Sequence, residues 1–338
     1  MRRGESVVSS SKSRVIAVTG GLGFVGKNLV RSLAAAGHQV RVLDIASEDR
    51  VGTLPARVSY READLRDGRR TSEALADADL VFHLAGNSSG TVSVEDPRLD
   101  FETNALGTFN VCEALREKEG SRLVYLSSAM TYGQPQRFPI AEDHPVAPYY
   151  PYGASKLSGE LTVKAFVETY GLSAVIGRAF VIYGPGEDPR RAGAEVGQYL
   201  RWHLNGLPIE VTGDPDRKTR DFVHVSDIVA GLTLIADAGE DGEVYNLGTG
   251  EETSLAELVT AIGRVSGSVP DTVVNDSITD DTYRLVADIS KLRGLGYKPS
   301  VPLDKGLTDL IQHLGDHPAP PMLDTIFRPS QRDARSAS

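Results

Sequence analysis

Val15-Ile16-Ala17-Val18-Thr19 runs directly into Gly20-Gly21-Leu22-Gly23-Phe24-Val25-Gly26. A short β-rich run, a glycine turn and then a helical pattern (Phe24–Ala36, ended by Gly37) open a βαβ unit. Gly20, Gly23 and Gly26 stand at the spacing G-x-x-G-x-x-G. A side chain at the first two would obstruct the tight turn and the approach of a pyrophosphate, and the third lets the helix close onto the strand. The helix N-terminus adds amide donors and a partial positive charge for phosphate. Such a triplet is weak alone. Here it sits between strand and helix, and Asp44 ends the second strand, Val40–Leu43, 18 residues after Gly26. A carboxylate there accepts hydrogen bonds from a ribose diol and repels a 2′-phosphate, and Ile45 and Ala46 supply no cation for one. NAD is therefore expected rather than NADP, held by Gly20, Gly23, Phe24, Val25, Gly26 and Asp44.

Further along, Leu80–Leu84 and Leu123–Leu126 repeat the apolar run, with a helical stretch over Asn104–Lys118 between them; Tyr152–Tyr170 reads as another helix and Ala174–Ile182 as another strand. This alternation predicts an α/β, Rossmann-type doubly wound parallel sheet, and the unbroken apolar strands suit a sheet covered on both faces. After Gly184-Pro185-Gly186 and Asp188-Pro189 the elements shorten: Ile209–Thr212, a helix near Asp227–Ala236, Val244–Leu247 and a helix from about Ser254 to Val265. The expected organisation is a nucleotide-binding domain over 14–183, with 221–250 returning to it, a smaller C-terminal α/β substrate lobe over 184–317, and tails at 1–13 and 318–338.

The 338 residues, 40% hydrophobic, suffice for a large core. A net charge of −10 gives no counterion-release advantage on nucleic acid. No apolar run approaches the roughly 20 residues that span a bilayer. Met1–Arg14 has no apolar core of a secretory signal. The single cysteine, Cys112, excludes an internal disulfide and a cysteine metal site, and is expected to be buried packing. No metal, nucleic-acid or membrane partner is expected, and the location expected is cytoplasmic.

Tyr152-Gly153-Ala154-Ser155-Lys156 places a phenol and an ammonium one helical turn apart. A tyrosine near its usual pKa of about 10 is a poor base at neutral pH. A neighbouring ammonium and a nicotinamide cation both favour phenolate; reaching neutrality needs roughly three units, about 4 kcal/mol. The spacing alone is common on amphipathic helices. The preceding strand strengthens it, because Arg122–Leu126 ends in Ser127-Ser128, and a hydroxyl at a central strand's carboxyl end sits at the ligand crevice.

With these motifs the sequence resembles the extended short-chain dehydrogenase/reductase family, in its NAD-dependent epimerase/dehydratase group. The resemblance spans about Arg14–Leu314 and rests on Thr19–Gly26, Asp64-Leu65, His83-Leu84-Ala85, Asn104, Ser127–Gly133, Tyr152–Lys156, Tyr183-Gly184-Pro185, Arg220-Asp221-Phe222, Tyr245-Asn246 and Asp288. It implies that Asp64 and Leu65 flank the adenine and that Leu84-Ala85-Gly86 passes under the cofactor, with Gly86 where alanine is commoner. Asn104 would support the active site. Ser128, Tyr152 and Lys156 would form the catalytic triad, Lys156 also holding the nicotinamide ribose. Arg220 would bind the nucleotide diphosphate and Asp281 the nucleoside ribose. Two positions depart from the pattern: Val181 replaces a substrate-contacting asparagine, and Ile278 stands where an arginine often precedes the ribose-binding aspartate.

The implied reaction is transient oxidation of a nucleotide sugar at C4, with Tyr152 as acid/base and return of the hydride to the other face. Dehydratases of the family carry Asp-Glu directly after the Ser128 position, and decarboxylases usually carry Glu at the first of these; here the pair is Ala129-Met130. A nucleotide-sugar 4-epimerase, an isomerase, leads, with a UDP-sugar favoured. A 4-ketoreductase, a C4 dehydrogenase or a dehydratase on the same fold is the alternative, and a non-catalytic NAD-binding protein a remote one. The resemblance places Leu285 at the position that gates the sugar pocket; its intermediate size leaves hexose, N-acetylhexosamine and hexuronate open. It further implies a homodimer joined through the Asn104–Lys118 and Tyr152–Tyr170 helices.

Overall fold

The computed structural model describes residues 15–88, 90–188, 195–275, 284–315 and 318–319. In chain order the fold is built from β1 (Val15–Thr19), α1 (Phe24–Ala35), β2 (Gln39–Asp44), β3 (Val58–Glu62), α2 (Gly68–Leu75), β4 (Leu80–His83), α3 (Gly90–Glu95), α4 (Pro97–Phe101), a π-helical turn (Glu102–Leu106), α5 (Gly107–Leu115), β5 (Arg122–Ser128), α6 (Pro151–Tyr170), β6 (Ser173–Ala179), β7 (Val181–Tyr183), α7 (Glu195–Leu204), β8 (Ile209–Thr212), β9 (Thr219–Arg220), β10 (Phe222–His224), α8 (Val225–Ala238), β11 (Val244–Leu247), β12 (Thr253–Ser254), α9 (Leu255–Ser266), β13 (Thr272–Asn275), β14 (Arg284–Leu285), α10 (Ser290–Gly294) and α11 (Leu303–Leu314).

Seven strands form one parallel sheet in the order β11-β6-β5-β4-β1-β2-β3. Successive residues of each strand point to opposite faces, and both faces are covered. Ile16, Val18, Leu80 and Phe82 pack with α1 and α8. Ala17, Val81 and Leu123 pack with α2, α5 and α6. That is why the strands carry no polar alternation. Chain order reverses between β1 and β4, so a crevice opens beyond Thr19 and His83, which are paired in register.

A third apolar cluster lies beyond this sheet. It joins Val196, Leu200 and Trp202 of α7, Ile209 of β8, Leu258 and Ile262 of α9, and Leu307 of α11.

Two expectations need correction. The run Ala174–Ile182 is not one strand: β6 ends at Ala179 in the main sheet, and β7 pairs with β10. The break comes where the backbone changes partner, since Phe180 N–H donates to Leu247 O and Val181 N–H to Asp221 O. Hydropathy does not register such a handover. The helix expected over Asn104–Lys118 is a π-turn followed by α5, ending at Leu115. Val244–Leu247, within the segment 221–250 expected to return to the nucleotide-binding domain, lies in the main sheet beside β6. β3 carried no apolar run because it is an edge strand with mostly exposed residues.

Candidate active site

The glycine turn fills the mouth of the crevice. Gly20 has φ +67°, and a Cβ there would lie 2.7 Å from the Ala85 nitrogen. A Cβ at Gly26 would lie 2.1 Å from the Gly20 carbonyl oxygen. Both glycines are thus required by the backbone itself, before any ligand is considered. The Leu84 N–H donates to Thr19 O and the Ala85 N–H to Thr19 Oγ1, which draws Leu84-Ala85-Gly86 alongside the turn. Phe24 and Val25 begin α1, half-buried. At the end of β2, Asp44 Oδ2 accepts from Leu22 N–H at 3.1 Å and Oδ1 from Ile45 N–H at 2.9 Å. This carboxylate stands beside the turn with the exposed Ile45 next to it. Ala63 N–H bonds to Asp44 O, setting Asp64 and Leu65 on the same rim. The Arg66 side chain grips the Asp64 carboxylate and holds it below the usual carboxylate range. A backbone cradle without side chains, a helix N-terminus and a carboxylate at the next strand's end fit an adenine dinucleotide with a free 2′-hydroxyl.

The strand β5 and helix α6 deliver the second half of the site. Ser128 ends β5 and Tyr152 lies in the first turn of α6, where the Ser128 hydroxyl favours the Tyr152 phenolate. Lys156 follows one turn later, buried, with Nζ 4.6 Å from the Tyr125 ring centroid. Burial pushes Lys156 down to about 8, against the opposing charges of Glu160 and Asp100. The expected lowering of Tyr152 is not found in the protein alone. Burial pushes its phenol up to about 12; the Ser128 hydroxyl lowers it and Asp100 raises it further. Nor does the buried His83 add a cation: burial, and then the Lys156 charge, push it down to about 3. The site therefore holds Tyr152 as a neutral acid until a further positive charge enters.

Asn104 sits in the π-turn, a helical irregularity common at functional sites. Its Nδ2 donates to Ser155 Oγ at 2.9 Å and toward Asp100 Oδ1 at 3.1 Å. Its buried Oδ1 has no hydrogen-bond partner. A Cβ on residue 86 would lie 2.5 Å from that oxygen, so Gly86 makes room for it. Such an orphaned acceptor, close to Lys156, suits a site that is completed by a ligand or a water.

The substrate side is assembled through the backbone of residues 220–221. Leu285 is the register partner of Arg220, Asp221 N–H donates to Leu285 O, and Val181 N–H donates to Asp221 O. Val181, Arg220 and Leu285 are thereby neighbours. Arg220 is buried, and its Nε donates to Glu195 Oε1 at 2.9 Å. Leu285 is buried as well. Asp281 and Ile278 lie outside the described residues. Cys112 is buried.

Sequence reasoning missed two buried groups. Glu160, at the i+4 position from Lys156, accepts from Arg178 at 2.9 and 2.6 Å and from Ser127 Oγ at 2.5 Å. Asp100, at the i−4 position from Asn104, accepts from Asn87 and Ser155, both at 2.6 Å. Their helical spacing was visible; their burial was not.

The comparisons agree with this geometry. The model of the NAD dependent epimerase/dehydratase family matches residues 16–248. The UDP-glucose 4-epimerase of Mycolicibacterium smegmatis is 33% identical over 87% of this chain and 96% of its own length. A dTDP-glucose 4,6-dehydratase of an Actinoplanes species is 31% identical over 88% of this chain and 96% of its own. The crystal structure of the Thermus thermophilus UDP-glucose 4-epimerase in complex with NAD superposes with a TM-score of 0.80 at 33% identity, covering 88% of this chain and 98% of that one.

Proposed function

Since this chain belongs to the NAD-dependent epimerase/dehydratase family, we propose that it is an NAD-dependent nucleotide-sugar 4-epimerase, with a UDP-sugar as substrate. The observation that carries the reading is the placement of Ser128, at the end of β5, and Tyr152 and the buried Lys156, in the first turns of α6, at the crevice that the glycine turn and Asp44 fit to a dinucleotide. Bound NAD supplies a hydride acceptor and donor for the sugar C4. Gly20, Gly23, Gly26 and the first turn of α1, with Phe24 and Val25, hold its pyrophosphate. Asp44 takes the adenosine ribose diol, Asp64 and Leu65 flank the adenine, and Leu84, Ala85 and Gly86 pass beneath, next to Asn104. Lys156 binds the nicotinamide ribose and offers its charge to Tyr152. The Tyr152 oxygen removes the C4 hydroxyl proton and returns it after the 4-keto sugar has turned over. Ser128 hydrogen-bonds the same substrate oxygen. Arg220 faces the diphosphate, with Asp281 for the nucleoside ribose and Val181 and Leu285 toward the sugar.

The Actinoplanes relative raises the dehydratase reading. Ala129 and Met130 argue against it: they follow Ser128 directly and carry no acid or base for removing water. Two finer statements belong to the same reading. Exposed Phe101, Leu106 and Phe109 around α5, with Leu161 and Tyr170 on α6, support a homodimer through this helix pair. The lone buried Cys112 is compatible with a cytoplasmic location; no described helix is long and apolar enough to cross a membrane. Incubation with a panel of UDP-, dTDP- and GDP-sugars, with products resolved by NMR, tests the function. Inversion at C4 is expected; a 4-keto-6-deoxy product or net consumption of cofactor would overturn it.

A further inference from the structure

Asp100 is a fully buried carboxylate to which the mechanism above gives no task. Among the described residues it has no ion-pair partner, yet it is not idle. Asn87 Nδ2 donates to its Oδ1 at 2.6 Å and Asn104 Nδ2 to the same oxygen at 3.1 Å. Ser155 Oγ donates to Oδ2 at 2.6 Å and also lies 3.0 Å from Tyr152 O. One side chain thus ties the loop after β4, the π-turn carrying Asn104 and the first turn of α6 into a single unit. Burying an unpaired charge is costly in a low-dielectric interior, so a merely structural clasp would be served as well by asparagine.

We propose that Asp100 is a positioning residue for the Tyr152–Lys156 pair: its hydrogen bonds fix the start of α6 against Asn104, and its charge sets the pH range in which the pair works. The proposal rests on reading Tyr152 and Lys156 as the acid/base pair. Of the charged groups around them, Asp100 is the one that acts on both. On α6 itself, Glu160 is ion-paired with Arg178 and raises Lys156 more than Asp100 does, but it does not act on Tyr152. His83 on β4 is held neutral, and Tyr125 on β5 offers Lys156 only its ring. Glu95 and Asp96, between α3 and α4, are exposed, and Arg98 and Glu102 pair with each other toward solvent. Asp100 raises both the Lys156 ammonium and the Tyr152 phenol.

The sign follows directly. Without the charge, Tyr152 ionises at lower pH and Lys156 loses its proton at lower pH, so both limbs of the activity profile move to acid. Asp100→Asn makes this change with every hydrogen bond retained: the amide nitrogen in place of Oδ2 donates to Ser155 Oγ, whose own hydrogen turns to Tyr152 O. The test is the pH dependence of kcat/KM for C4 epimerisation, with nucleotide sugar, in the wild-type holoenzyme, Asp100→Asn, Ser155→Ala and Tyr152→Phe. Asp100→Asn is expected to displace both limbs to acid by about one pH unit, the size of a unit charge felt through a partly screened interior. Ser155→Ala, which keeps the charge, lowers kcat with the limbs in place. An Asp100→Asn profile that stays within about 0.2 units or moves to alkali overturns the proposal while Tyr152→Phe remains inactive; an active Tyr152→Phe overturns the underlying reading instead. Asp100→Ser is a second charge-free variant, and folding of both is checked by Tm. If neither folds, the carboxylate is structural and the proposal fails.

Discussion

Replacing Glu160 by glutamine asks how far a buried ion pair supports the site above it. Glu160 and Arg178 side chains are 1% and 4% exposed. Arg178 Nε and Nη2 donate to the two carboxylate oxygens, its Nη1 has no hydrogen-bond partner, and its guanidinium stacks 4.6 Å from the Tyr132 ring centroid. Glutamine keeps the shape and one oxygen, which still accepts from Arg178 Nε and Ser127. Its amide nitrogen then faces Nη2, donor against donor, and a buried guanidinium is left without a counter-ion. Removing one partner of such a pair costs about 3–5 kcal/mol; retention of one hydrogen bond puts this case near the lower end, about 3 kcal/mol, against a typical domain stability of 5–15 kcal/mol. Urea unfolding followed by circular dichroism measures it. The Glu160→Met, Arg178→Met double variant should recover most of the loss, because no charge is then buried. A second readout is the alkaline limb of activity. Glu160 supports the Lys156 ammonium, which sits at about 8, so its loss moves that limb to lower pH. A loss below about 1 kcal/mol, or a double variant no more stable than Glu160→Gln, would refute the reasoning.

Tyr152→Phe should lower turnover by about 10²–10⁴-fold, the usual weight of a general acid/base, with NAD still bound by absorbance of the purified protein. Asp44→Ala should weaken NAD and relax its preference over NADP by about 10-fold or more, read from Kd values of both cofactors; a native enzyme that prefers NADP would sink the ribose argument. Leu161→Glu places a charge on the exposed apolar face of α6 and should give a monomer by light scattering if that face is the dimer contact; an unchanged dimer would move the contact elsewhere.

The nucleotide half of the site was legible in the sequence because its requirements are local. Gly20 and Gly26 are demanded by backbone contacts within a few residues and one neighbouring strand, and Asp44 is read from its place after a strand. Tyr152 and Lys156 were legible through helical spacing, and Ser128 through its place at a strand end. The handover at Phe180 was not legible, since β6 and β7 read as one apolar run and differ only in which strand answers their amides.

Sequence alone determined the doubly wound sheet, the dinucleotide crevice and the one-turn spacing of the proposed acid/base pair, because periodicity, glycine sterics and fixed spacing act over short stretches of chain. Tertiary structure alone decided the charge state of that pair. Lys156 near 8 follows from burial, opposed by Glu160 and Asp100; Tyr152 near 12 from burial and Asp100; and the neutral His83 from burial and the Lys156 charge. Desolvation and Coulomb interactions depend on distance in space, and no spacing along the chain encodes them.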